Sequence, residues 1–212
     1  MRKIIVPLFL VLTFLCSLSP AMGETAADWF DKANALWDEQ GRKFADPKKA
    51  TEYLNNAVKL KPDYVEAYNS RGLAYFNLGK YQLATEDYNK ALRLKPDNAY
   101  AYYNRGSAYR HLGKHQLAIE DYNEALRLKP DYAHAYYNRG AAYDDLGKYL
   151  RAIEDYNEAI RLKPDYVEAY NNRGVTYLLQ GNNNLGCHDA QKACALGDCK
   201  LLDLVKSQGL CP

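Results

Sequence analysis

Several of the usual signatures of chemistry are missing from this chain. It has no Cys-x-x-Cys and no Cys-x-x-Cys-His, the spacings that hold structural zinc, work as redox dithiols or attach haem. It has no phosphate-cradling glycine loop, no nucleophile elbow and no paired-carboxylate motif. His111 and His115 stand four residues apart, as metal ligands on a helix do, but Gly113 ends the helix between them, and His134 and His188 stand alone. Charge of one sign is lacking too. The 28 basic and 26 acidic residues give a formal net charge of +2, and the two signs alternate without a run. A nucleic-acid partner needs a basic face, so none is expected. Nor is an enzyme, a cofactor, a metal site or a small-molecule substrate.

The only long apolar run is at the start. Arg2 and Lys3 precede an apolar stretch from Ile4 to Leu18, Ser19-Pro20 breaks it, and Ala21-Met22-Gly23 offers small residues at the positions a signal peptidase reads. The stretch is shorter than the roughly 20 residues a bilayer span needs. We expect a signal peptide over 1–23, with a periplasmic or secreted mature chain that meets the membrane only through this export signal. An uncleaved anchor is the alternative, whereas Leu15 disfavours lipidation of Cys16. Removing Arg2 and Lys3 leaves 26 basic against 26 acidic residues.

The rest repeats itself. Segments 65–98, 99–132, 133–166 and 167–200 are each 34 residues long, and a less regular unit over 27–64 carries four extra residues. Ala-Tyr-x-x-Arg-Gly begins at Ala67, and its parallels at Ala101, Ala135 and Ala169 keep the Arg-Gly. Leu-Gly-Lys recurs at Leu78, Leu112 and Leu146, and a phrase beginning Asp-Tyr-Asn recurs at Asp87, Asp121 and Asp155. Small and aromatic residues at unit positions 3, 4, 8 and 11 make one apolar stripe at helical spacing. Gly79, Gly113 and Gly147 terminate this first helix, since glycine tolerates the left-handed cap. A second helix carries alanine at positions 20 and 27 and tyrosine at 24, and Pro96, Pro130 and Pro164 stop it.

The set Gly72, Ala84, Ala91, Tyr68, Tyr75, Tyr88 and Pro96 resembles the tetratricopeptide repeat, over about 27–200. The resemblance implies an all-α, right-handed superhelical solenoid of antiparallel helix hairpins, with first helices lining a concave groove. Two departures stand out. Arginine replaces the usual leucine at position 7, and in the last unit Gly186 and Ala190 replace the alanine at position 20 and the aromatic at position 24. Arg71, Arg105, Arg139 and Arg173 each share a unit with Asp87, Asp121, Asp155 or Asp189, and the first unit lacks both partners. Pairing offsets the cost of a buried charge, so we expect four structural ion pairs.

Family members usually contact ligands through first-helix positions, which here select Asn69, Tyr100, Tyr103, Asn104, Arg110, Tyr137, Asn138, Asn171 and Asn172 as a peptide-binding groove. Asn104, Asn138 and Asn172 share position 6. Amides donate and accept, so such a ladder suits the backbone of an extended chain, and tyrosines are frequent interface anchors. The lysines of a carboxylate clamp are missing from positions 2 and 5.

Cys187, Cys194, Cys199 and Cys211 crowd the last 26 residues. In an exported chain they point to disulfides, with three possible connectivities. Cys187 and Cys194 lie two helical turns apart, about 10 Å, too far for a bridge. If Gly197-Asp198 turns the chain and Cys199–Gln208 runs back as a capping helix within the tail 199–212, Cys194–Cys199 and Cys187–Cys211 pair. The sequence is thus read as a non-catalytic interaction scaffold of the cell envelope holding a protein or peptide. The alternative is a thiol-active factor exchanging disulfides through these cysteines.

Overall fold

A computed structural model describes residues 23–41 and 43–211; the expected signal segment, apart from Gly23, lies outside them. Eleven helices, and no strands, occur among the described residues: α1 (Ala26–Asn34), α2 (Pro47–Leu60), α3 (Val65–Asn77), α4 (Tyr81–Leu94), α5 (Ala99–His111), α6 (His115–Leu128), α7 (Ala133–Asp145), α8 (Tyr149–Leu162), α9 (Val167–Leu179), α10 (Asn183–Ala195) and α11 (Lys200–Ser207). None is long and apolar enough to cross a membrane.

Punctuation in the sequence sets these boundaries. Gly79, Gly113, Gly147 and Gly181 close the first helices at φ of 71°, 70°, 68° and 78°, a left-handed cap that costs glycine nothing. Lys95, Lys129 and Lys163 leave the second helices at φ of −140°, −138° and −135°, because the following proline drives its predecessor out of the helical region. Consecutive helices pack as antiparallel hairpins, and each hairpin packs on the next. The first helices α3, α5, α7 and α9 also touch one another, so they form the inner wall of a right-handed solenoid.

The core follows the small residues. Ala67, Ala84, Ala91, Ala101, Ala118, Ala125, Ala135, Ala152, Ala159 and Ala169 are fully buried, together with the Tyr88, Tyr122 and Tyr156 rings. At Gly106 an added Cβ would sit 2.9 Å from the Tyr122 ring and 3.2 Å from the Ala118 carbonyl oxygen; Gly140 meets Tyr156 and Ala152 in the same way. Glycine to alanine in a helix interior ordinarily gains up to about 1 kcal/mol. Here Gly106→Ala is expected to lose about 1–3 kcal/mol, since the buried ring has nowhere to retreat. A higher urea midpoint for that variant would contradict this packing.

The first and last units differ for local reasons. The extra residues between α1 and α2 form a loop in which Trp37 bridges to Phe44 and their rings stack at 4.5 Å. At the other end, Gly186 lies against Leu178, with room for no Cβ, and Gly174 meets Leu201 of α11. Ala190 sits with Cys187, Val205 and Cys211 in the terminal cluster. Where the second, third and fourth units place Tyr88, Tyr122 and Tyr156, Leu178 of α9 and Leu201 of α11 pack instead.

Candidate functional site

The arginine ladder lies between hairpins. Arg105 donates to Asp121 through Nε and Nη2 at 2.8 and 2.6 Å, and its Nη1 donates to Asn89 of the preceding unit at 2.6 Å. Arg71 with Asp87 and Asn55, Arg139 with Asp155 and Asn123, and Arg173 with Asp189 and Asn157 repeat the arrangement. The Asp189 carboxylate side chain is 2 % exposed and the other three 7 %. Tyrosines flank the cations, as Tyr102 and Tyr109 do for Arg105 at 5.4 and 5.8 Å. Burial pushes the Asp87, Asp121 and Asp155 carboxyls up, and the arginines only partly pull them back. The same carboxylates hold Arg71, Arg105 and Arg139 charged against burial. With every donor of the fork's inner edge engaged, these arginines offer little to a ligand.

The asparagine third partner was missed at the sequence level, although Asp-Tyr-Asn displays it. Asn55 is telling: the first unit has neither arginine nor aspartate, but Arg71 of the next unit needs Asn55.

On the concave wall, Asn138 Nδ2 donates to the Tyr103 hydroxyl at 2.9 Å, and Asn172 Nδ2 donates to the Tyr137 hydroxyl at 3.1 Å. Two rungs of the asparagine ladder are therefore struts between adjacent first helices. Their amide oxygens accept no hydrogen bond among the described residues. Tyr103 is wedged against Tyr132 and Tyr122, and Tyr137 against Tyr166 and Tyr156, with centroids 4.8–6.1 Å apart. Burial raises the Tyr103 and Tyr137 hydroxyl pKa values, so both stay protonated. Tyr100 is 56 % exposed, and its hydroxyl accepts from Lys129 at 3.0 Å.

The remaining groove residues are placed unequally. Arg110 Nε donates to Asp145 at 2.7 Å, linking α5 to α7. Asn171 Nδ2 donates to Asp198 at the turn into the cap, at 2.9 Å. Asn69 stands where the next two units have Tyr103 and Tyr137; its Oδ1 is buried without a partner, and Asn104 forms no strut with it. Beside Asn104 lies a cavity of about 290 Å³, lined by Phe76, Asn77, Tyr88 and Ser107 among others.

At the end of the solenoid, disulfides join Cys187 to Cys211 and Cys194 to Cys199, with Cα atoms 5.6 and 3.9 Å apart. Cys187 and Cys211 are buried beside Val205.

The TPR-repeat family model matches residues 48–79, 72–113, 106–147 and 142–181. No curated protein sequence matches the chain. Among solved structures, MamA is similar at 32 % identity over 71 % of this chain and 88 % of its own, with a TM-score of 0.67. MamA from Desulfovibrio magneticus RS-1 is similar at 25 % identity over 83 % and 97 %, with a TM-score of 0.73. The first TPR of Spaghetti, bound to an HSP90 peptide, is similar at 34 % identity over 55 % and 93 %, with a TM-score of 0.54. With four consecutive matches over more than half its length, and hairpins of that architecture, the chain belongs to the TPR-repeat family.

Proposed function

We propose that this protein is a non-catalytic scaffold of the cell envelope that holds an extended segment of a partner protein in its concave groove. The observation that carries this reading is the inner wall of α5, α7 and α9. There the Tyr103–Asn138 and Tyr137–Asn172 struts immobilise side chains that keep amide oxygens for a partner's N–H groups. A wall ordered in advance loses little side-chain entropy on binding. The Spaghetti relative, bound to an HSP90 peptide, supports the class of partner. Since this groove has no lysine at Asn69, Tyr103, Tyr137 or Asn171, the ligand here differs from one anchored by its terminal carboxylate. The paired cysteines support an exported protein, because such bridges persist in oxidising compartments. Their burial at the capped end favours a structural role over disulfide exchange.

A photo-crosslinking amino acid tests the face used. Placed at Tyr100 on the inner wall it is expected to capture a discrete partner in envelope extract, whereas at Leu150, which is 72 % exposed outside the groove, it captures none. Equal capture from both positions would overturn the groove assignment.

A further inference from the structure

The second unit breaks two local rules, and both breaks face one cavity. In the third unit the buried Tyr122 hydroxyl donates to Ser107 Oγ at 3.2 Å, and in the fourth the Tyr156 hydroxyl donates to Asp144 Oδ2 at 2.7 Å. The equivalent Tyr88 has Leu73 and Phe76 at the positions of those acceptors. Its ring is 0 % exposed, and its hydroxyl has no partner among the described residues. Asn69 in place of a tyrosine likewise leaves Asn104 without the strut that Asn138 and Asn172 make. Asn77 Nδ2, at the end of α3, is buried and also unpartnered. Tyr88, Asn77 and Asn104 all line the cavity of about 290 Å³, walled by Leu73, Phe76 and Tyr103.

A buried polar group without a partner is costly, and two of them, the Tyr88 hydroxyl and Asn77 Nδ2, beside the strut-less Asn104 around one cavity describe a site awaiting its complement. We propose that this cavity is a specificity pocket for a carboxamide side chain, glutamine or asparagine, of the partner's extended segment. The proposal rests on the groove reading above and names the side chain it selects. Chemistry decides the class. The Tyr88 hydroxyl and Asn77 Nδ2 are donors seeking an oxygen, and the Asn104 amide can accept from an NH₂ group in return. A purely apolar side chain would leave the donors unpaired. A carboxylate would have to shed its water with Arg110 on the rim already engaged by Asp145 at 2.7 Å, and with only the His111 ring, its Nδ1 2.9 Å from the Ser107 carbonyl oxygen, beside it.

The test uses the purified protein and capped heptapeptides, acetyl-Gly-Ser-Ser-X-Ser-Ser-Gly-amide, with X as Gln, Glu or Met. Affinities are read by NMR titration from the side-chain amide signals of Asn77 and Asn104. The Gln peptide is expected to bind about tenfold more tightly than the near-isosteric Met peptide, and above the Glu peptide. Tyr88→Phe should abolish that preference while melting no lower than the parent, because it removes an unpaired hydroxyl. Leu73→Ser, which gives Tyr88 the acceptor that Ser107 gives Tyr122, should abolish it as well. A preference that survives in both variants, or affinities independent of X, overturns the pocket and leaves the groove standing. Preference for Glu overturns the carboxamide assignment. The absence of any shift with all three peptides also overturns it, and the cross-linking experiment then judges the groove by itself.

Discussion

Replacing Arg139 by leucine is expected to destabilise the protein by about 3 kcal/mol, the cost of leaving a buried carboxylate without its cation. Asp155 is 5 % exposed, and Arg139 supplies both hydrogen bonds that face it. The same substitution releases Asn123 of the preceding hairpin, so urea unfolding should lose cooperativity as well as midpoint. The double variant Arg139→Leu/Asp155→Leu is expected to return to within about 1 kcal/mol of the parent, because two packed apolar groups need no desolvation. Burial already outweighs the arginine at Asp155, which is why removing both should cost little. The pH dependence of the single variant has a definite sign. Burial holds the lone Asp155 carboxyl above the ordinary 3.8, so the folded state binds its proton more readily than the unfolded chain does. Stability is then lost as pH rises through the window between the unfolded and folded values. The deficit of Arg139→Leu should therefore shrink on acidification toward pH about 4. A double variant less stable than the single would show the pair to be a net stabiliser.

Removing the Cys187–Cys211 bridge by Cys187→Ala/Cys211→Ala is expected to cost roughly 3 kcal/mol. The sequence separation of 24 and the loop-entropy relation set that figure. The shorter Cys194–Cys199 bridge, with a separation of 5, should be worth only roughly 2 kcal/mol by the same relation. In a solenoid each unit leans mainly on its neighbours, so the damage should be local. Helix α11, only eight residues long, buries Val205 against Ala190 and the two cysteines. Without the bridge its amides should exchange rapidly, along with those of α10, while α3 to α8 remain protected. Hydrogen exchange before and after reduction reads this directly. Uniform loss of protection along the chain would mean that the cap stabilises the whole array. Loss of partner binding with unchanged stability would instead favour a thiol-active role.

Much of this organisation is legible from residue types alone because it is local. A glycine needed at positive φ and a lysine forced extended by the next proline are decisions within four or five residues. A 34-residue period then repeats them until the hairpin architecture has no competitor. The co-occurrence of arginine and aspartate suggested their pairing for the same reason: both lie in one hairpin. The third partner was less visible, since Asn89 or Asn123 serves the arginine of the following unit, and no single unit contains the whole arrangement.

The groove shows where such reading ends. Position 6 marks Asn104, Asn138 and Asn172 as equivalent, but the structure makes two of them struts and leaves the third facing a cavity. The difference arises one unit away, where Asn69 is too short to do what Tyr103 and Tyr137 do. The unpaired Tyr88 hydroxyl likewise traces to Leu73 and Phe76, apolar residues that look like ordinary core. By itself the sequence determined the helix pairs, their stops and their stacking, because local backbone preference and a repeated apolar stripe suffice. Which polar groups end up satisfied was decided only by the tertiary structure, because a hydrogen bond across adjacent hairpins depends on side-chain reach between residues about 35 positions apart.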